Sequence, residues 1–250
     1  IMSKTIKINY HQYDIWEDIL TSSLALDFVG YEPETLFQNA DKKSVYYQCP
    51  AWAHKAKRTY IVRCPVDITL KVTPPDDESG EGSIESENLN QIRFDRWISP
   101  TFDVENWCRK EKVTLQFNMP KFLFWTDERN VWMEQSPYPL TAVKNNILCL
   151  NGWFNLSSWT RSLSFAMDVV DYTKPIVIKR GDPLYQVSFY SKNLDDSYKL
   201  VKKEPSEKLL RDIKKRTKAK SYIGRIGHDQ EMFKNQKGKC PVEFLWKRDD

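Results

Sequence analysis

The chain has 250 residues, enough for one large β domain or two small ones, and its 40% hydrophobic content, with nine Trp, twelve Tyr and twelve Phe, supplies a core. Eight Gly and 29% charged residues at a net charge of +4 exclude a fibrous or wholly disordered chain. No run approaches the roughly 18 apolar residues of a membrane span, and no signal-peptide pattern opens the chain, so a cytoplasmic protein without a membrane partner is expected.

The first strand is predicted over residues 4–10, where Ile6 and Ile8 alternate with polar residues, and residues 15–27 read as a short helix or an irregular crossing. Residues 45–49, 59–64 and 67–73 are short β-type runs. Between the first two, residues 51–58 carry Trp52, His54, Lys55, Lys57 and Arg58, a basic knuckle read as a solvated turn rather than an anion-binding patch. Residues 74–90 hold six acidic residues and no base, so a mobile acidic loop is expected; the carboxylates lack the spacing of a twelve-residue calcium loop.

The β signal resumes over residues 92–98, 113–117 and 122–125, and continues through Val131 and Met133 to a proline-rich turn at 136–139. Residues 147–191 read as the centre of a sandwich. Phe165, Met167 and Val169 share one face, and Ile176 and Ile178 precede a glycine turn at Arg180, Gly181, Asp182 and Pro183, with Leu184, Val187 and Phe189 beyond it. The many Trp rings are expected to fill the core, although rings exposed together would stack on sugars or bases.

Residues 199–225 contain eleven Lys or Arg against three acidic residues. Ser206 followed by Glu207 predicts a helix start, and Leu209, Leu210 and Ile213 form a narrow apolar stripe opposite a basic face carrying Lys214, Lys215, Arg216 and Lys218. That face is either solvated or a binding surface for a polyanion.

Five cysteines, Cys49, Cys64, Cys108, Cys149 and Cys240, are odd in number and show no CxxC, so reduced structural thiols are expected and no metal site is assigned. The three histidines begin no HxD or HxE pattern, which removes the iron-oxygenase chemistry of β jelly rolls; GxSxG, Walker, HExxH and zinc-deaminase motifs are absent too. No cofactor is implied. Acidic residues near aromatics remain, with Trp125, Asp127 and Arg129 as the cluster on which a carbohydrate site would rest.

The pieces Asn151-Gly152-Trp153, Trp159, Phe165-Ala166-Met167 and Gly181-Asp182-Pro183-Leu184 resemble an uncharacterised β-sandwich family of phages and bacteria over about a third of the chain. The resemblance implies a place in an infected host's cytoplasm or in a virion. The glycine-to-glutamine closing turn is also similar to that of dUTPase-like jelly rolls, whose Gly-Tyr-Asp substrate motif and P-loop-like tail this sequence lacks, so that activity is not expected. The expected fold is mainly β, a two-sheet, jelly-roll-like sandwich over residues 2–198 with a basic helical appendage over 199–250. The expected role is non-catalytic binding of a polyanion or another protein, or assembly as a homo-oligomer; a carbohydrate-binding or carbohydrate-processing protein is the alternative. Exposed aromatics beside paired carboxylates in a groove would favour the alternative, and a basic or self-complementary surface the first reading.

Overall fold

Alternating apolar residues in short runs bounded by turn residues dictate strands that each turn one face inward, and burial alternates residue by residue along 68–73 and 165–169. The computed structural model describes residues 3–12, 31–74, 82–89, 91–103, 112–157 and 162–213. The strands are β1 (Thr5–Gln12), β2 (Glu34–Thr35), β3 (Thr59–Arg63), β4 (Ile68–Thr73), β5 (Ser83–Ser86), β6 (Ile98–Asp103), β7 (Lys112–Phe117) and β8 (Phe122–Trp125). They continue with β9 (Trp132–Pro137), β10 (Ile147–Cys149), β11 (Gly152–Asn155), β12 (Phe165–Val169), β13 (Ile176–Ile178), β14 (Pro183–Tyr190) and β15 (Ser197–Lys202). Short helices α1 (Leu36–Asn39), α2 (Pro50–Ala56), α3 (Gln91–Trp97) and α4 (Thr141–Lys144) lie between them.

The fold is mainly β, as the sequence predicts, with its strands in four hydrogen-bonded sheets ordered β15-β1-β8, β10-β12-β7-β6, β11-β9-β14-β3-β2 and β13-β4-β5. They share one core, to which Ile6 and Ile8, Phe117 and Phe165, Val187 and Phe189, and Leu70 and Ile176 come from the four sheets respectively. Each such side chain stabilises the fold by about 1.5–3 kcal/mol through burial. Among the described residues no helix is long and apolar enough to cross a membrane.

Several local expectations are corrected. Residues 45–49, read as β-type, form a 3-10 turn over Val45–Gln48, and residues 92–98 fall mostly in α3, because short apolar runs carry too little periodicity to separate helix from strand. The knuckle at 51–58 is not a solvated turn: Pro50 opens α2 at its first position, and Arg58 just beyond the helix is only 5% exposed. Within the acidic stretch, Ser83–Ser86 pair with β4 as β5, since alternating Ile84 with polar residues suffices once a neighbouring strand supplies hydrogen bonds. Sheet structure also runs past residue 198, through Lys202.

The turn at 179–182 forms as expected. The Asp182 N–H donates to the Lys179 carbonyl at 2.9 Å, and Gly181 has φ +87°, which L side chains rarely adopt. It does not join paired strands: β13 ladders with β4, whereas β14 lies between β3 and β9, so the turn carries the chain from one sheet to another. Residues 207–213 are helical, and the Ser206 hydroxyl accepts the Leu209 N–H at 3.3 Å, the cap read from the sequence.

Candidate ligand-binding cleft

β14 leads into a polar loop, residues 191–196, before β15 begins. Loops of this kind are held only by the partners their backbone groups find, and here α2 supplies them. The buried guanidinium of Arg58 donates to the Leu194 carbonyl and, at 3.5 Å, to the Asp196 carbonyl, and its Nη2 donates to His54 Nε2 at 2.9 Å. Its plane lies 5.5 Å from the Tyr198 ring centroid and 5.9 Å from that of Tyr190, so the charge rests between two aromatic faces.

Inside the loop, the buried Asp196 carboxylate collects the Ser191 hydroxyl at 2.6 Å, the Lys4 backbone N–H at 3.1 Å and the Asn193 amide at 3.2 Å. These donors, with the Ser191 hydroxyl foremost, hold its pKa below the usual carboxylate range. The Lys4 ammonium turns instead to Glu128, at 2.6 Å.

The loop so fixed forms one wall of a cleft of about 390 Å³, lined by Ser191, Lys192, Asn193 and Asp196 from the loop, Lys4 and Ile6 from the start of β1, and Arg129 and Asn130 from the β8–β9 turn. Asn130 takes φ 59°, a left-handed conformation that Asn tolerates, and so bends the turn beside Arg129. Arg129 and Lys192 line the cleft and make no ion pair among the described residues.

A second polar group lies on the same loop's approach. The row Trp153, Glu134, Ser188 and Thr59 runs across the five-stranded sheet through paired positions, with Tyr190 opposite Trp132 beside it. Lys55 Nζ reaches Glu134 at 2.9 Å and also donates to the Tyr190 hydroxyl, which itself donates to Glu134 at 2.6 Å. Burial works against the Glu134 carboxylate, yet its two donors outweigh that and its pKa lies below the ordinary value; burial and the Glu134 contact raise that of Tyr190. Lys55, although desolvated, is also raised by these partners. The trio is thus a closed ion-pair group of charged lysine, ionised glutamate and intact phenol, offering neither a free base nor a nucleophile. The thiols of Cys64 and Cys149 are no better placed, since burial pushes both up to about 12.

Of the residues singled out in the sequence, Arg129 lines the cleft, whereas Trp125 is half-buried on β8 beside Asn9 and Asp127 is exposed outside it. Of the three, only Arg129 is among the residues lining this cleft. Lys214, Lys215, Arg216 and Lys218 lie outside the described residues. Sequence reading missed Lys4 and Lys192, which no motif marks, and took Arg58 as part of a solvated basic knuckle.

No protein-family model matches the chain, and no curated protein matches it. Among solved structures, a mutant dUTPase from phage phi11 of S. aureus is similar at 10% identity, covering 70% of this chain and 97% of that one, with a TM-score of 0.30. A score of that size leaves the backbones largely unsuperposed, and nothing about this chain's chemistry follows from it.

Proposed function

We propose that the protein is a non-catalytic binding protein that takes an anionic ligand in the cleft between the 191–196 loop, the start of β1 and the β8–β9 turn. The observation that carries this reading is the pair of cations without an ion pair among the described residues, Lys192 on a wall that Arg58 and Asp196 hold in place and Arg129 on the β8–β9 turn. A preformed wall reduces the ordering cost of binding, and two cations in a concave site focus an attractive field on an anion. The closed Lys55–Glu134–Tyr190 group supports a role without chemistry. Carbohydrate processing fits less well, because it needs two carboxylates astride one bond, and the acid beside the exposed Trp153 ring is committed to Lys55 and Tyr190.

Retention on immobilised heparin against salt is the test. Wild type is expected to be retained at low salt, and Arg129→Gln with Lys192→Gln to elute earlier and with a shallower salt dependence. Absence of retention at low salt, or retention unchanged in the double variant, overturns the cleft reading. Assembly of copies is the second reading, favoured by exposed Leu140, Val143 and Leu148 around α4 and β10; light scattering of the eluted protein separates it, a monomer at all concentrations removing it.

A further inference from the structure

Trp153 stands out among the large side chains because 49% of it is exposed although it sits on a strand of the main sheet. Its ring stacks on Tyr190, with centroids 5.0 Å apart and planes inclined by 28°. Tyr190 is itself immobilised: its hydroxyl is fixed by Glu134, and the Lys55 ammonium lies 4.8 Å from its ring centroid. The pair is a rigid aromatic step with half of its outer ring open to solvent, the arrangement a flat ligand group uses without further ordering.

The step adjoins the cleft along the chain. Ser191 and Lys192 follow Tyr190 in the chain, and Asn130 and Arg129 precede Trp132, the residue opposite Tyr190 across the ladder. Two residues of chain span at most about 7 Å, so Lys192 begins within a side chain's reach of the Tyr190 ring, and Arg129, three residues before Trp132, lines the same cleft as Lys192. Groups that would orient a neutral sugar at the step, the Glu134 carboxylate and the Tyr190 hydroxyl, already satisfy one another. What is left free is a ring face and positive charge.

We propose that the Trp153–Tyr190 step and the Arg129–Lys192 cleft form one continuous site for single-stranded nucleic acid, a base stacking on Trp153 while the neighbouring phosphates lie against the two cations. This rests on the anion reading of the cleft and adds the class of ligand. Single strands are favoured over duplex because only unpaired bases offer a face to an exposed ring, and stacking is tolerant of sequence because every base has a π-face.

The test is fluorescence anisotropy of a labelled twelve-residue oligo-dT with the full chain, set beside a duplex of equal length and heparin as a polyanion without bases. Each arm is run with and without Lys214, Lys215, Arg216 and Lys218 replaced by Gln, so that binding by the C-terminal residues is subtracted. Trp153→Ala is expected to weaken oligo-dT roughly 5- to 100-fold, as the loss of one stacked base does, and to leave heparin unchanged. Trp153→Phe keeps a ring and restores most of that loss, which a merely structural role would not explain. Arg129→Gln with Lys192→Gln weakens both ligands. If Trp153→Ala leaves oligo-dT binding intact while the double variant lowers it, or if duplex binds as tightly as single strand, the stacking inference fails and the anion cleft stands; if wild type binds neither ligand, both fail.

Discussion

β14 is entered through the turn at residues 179–182 and left through the loop at 191–196, and a single aspartate organises each. At the entry, Asp182 accepts the Lys144 ammonium at 2.6 Å, the Lys179 N–H at 3.0 Å and the Asn145 amide at 3.1 Å. At the exit, Asp196 accepts a hydroxyl, an amide and a backbone N–H. Burial opposes the Asp182 charge and its donors overcome it, so both carboxylates lie below their ordinary pKa, but by different means. Asp182 uses up the local cation. Asp196 is satisfied by neutral donors, and Lys192 and Arg129, which line the cleft with it, make no ion pair among the described residues. The same residue type therefore builds a closed turn at one end of a strand and an open site at the other, and the difference lies in who donates.

The comparison breaks most severely at Arg58. Arg58→Met leaves the Asp196 carbonyl without its buried donor and the Leu194 carbonyl with His54 Nε2 alone, and should cost about 3 kcal/mol, with the cleft lost before the core; denaturant unfolding gives the first quantity and loss of heparin retention the second. At the entry, Gly181→Val places a branched side chain at φ +87°, with a Cβ 3.1 Å from the Tyr31 hydroxyl, and should cost about 1–3 kcal/mol through backbone strain. An unchanged thermal midpoint would show that the turn relaxes freely.

Asp182→Asn should lower stability by about 1 kcal/mol at neutral pH, since an amide cannot accept all three donors. A depressed carboxylate stabilises above its unfolded pKa and loses that contribution as pH falls through the folded value. The gap between variant and wild type should therefore close below about pH 4, which midpoints measured across acid pH check. The smallest effect is expected at these two cations: Arg129→Gln and Lys192→Gln should change stability by less than about 0.5 kcal/mol, because neither makes an ion pair among the described residues. A larger loss in calorimetry would mean that they are structural after all.

Much of β14's neighbourhood was legible in the sequence because its signals are local. Gly181 before Asp182-Pro183 marks a turn wherever it occurs, Ile176 and Ile178 alternate as strand residues must, and Ser206 ahead of Glu207 is a cap within one turn of helix. The cleft was not legible, since Lys4, Arg58, Arg129 and Lys192 are scattered along the chain and meet only through pairings such as β1 with β15. Trp125, Asp127 and Arg129 sat together in sequence for a simpler reason: a strand end and a turn place neighbours in different surroundings. Arg58 was misjudged because composition cannot show that a charge will find carbonyl oxygens and two aromatic rings in the interior.

β1 pairs in parallel with β15, Thr5 beside Ser197 and Tyr10 beside Lys202, and antiparallel with β8 on its other edge. During synthesis the first strand leaves the ribosome long before its last neighbour exists, and closing so large a loop is among the slow events of folding. Until residues 197–202 arrive, β1 carries an open edge, and no pairing holds the Lys4 N–H against Asp196. Ile6 and Ile8 of β1 and Tyr198 of β15 belong to the shared core, so the late pairing that completes the core is also the one that brings Lys4 to Asp196, and the cleft is made only when these two distant segments meet.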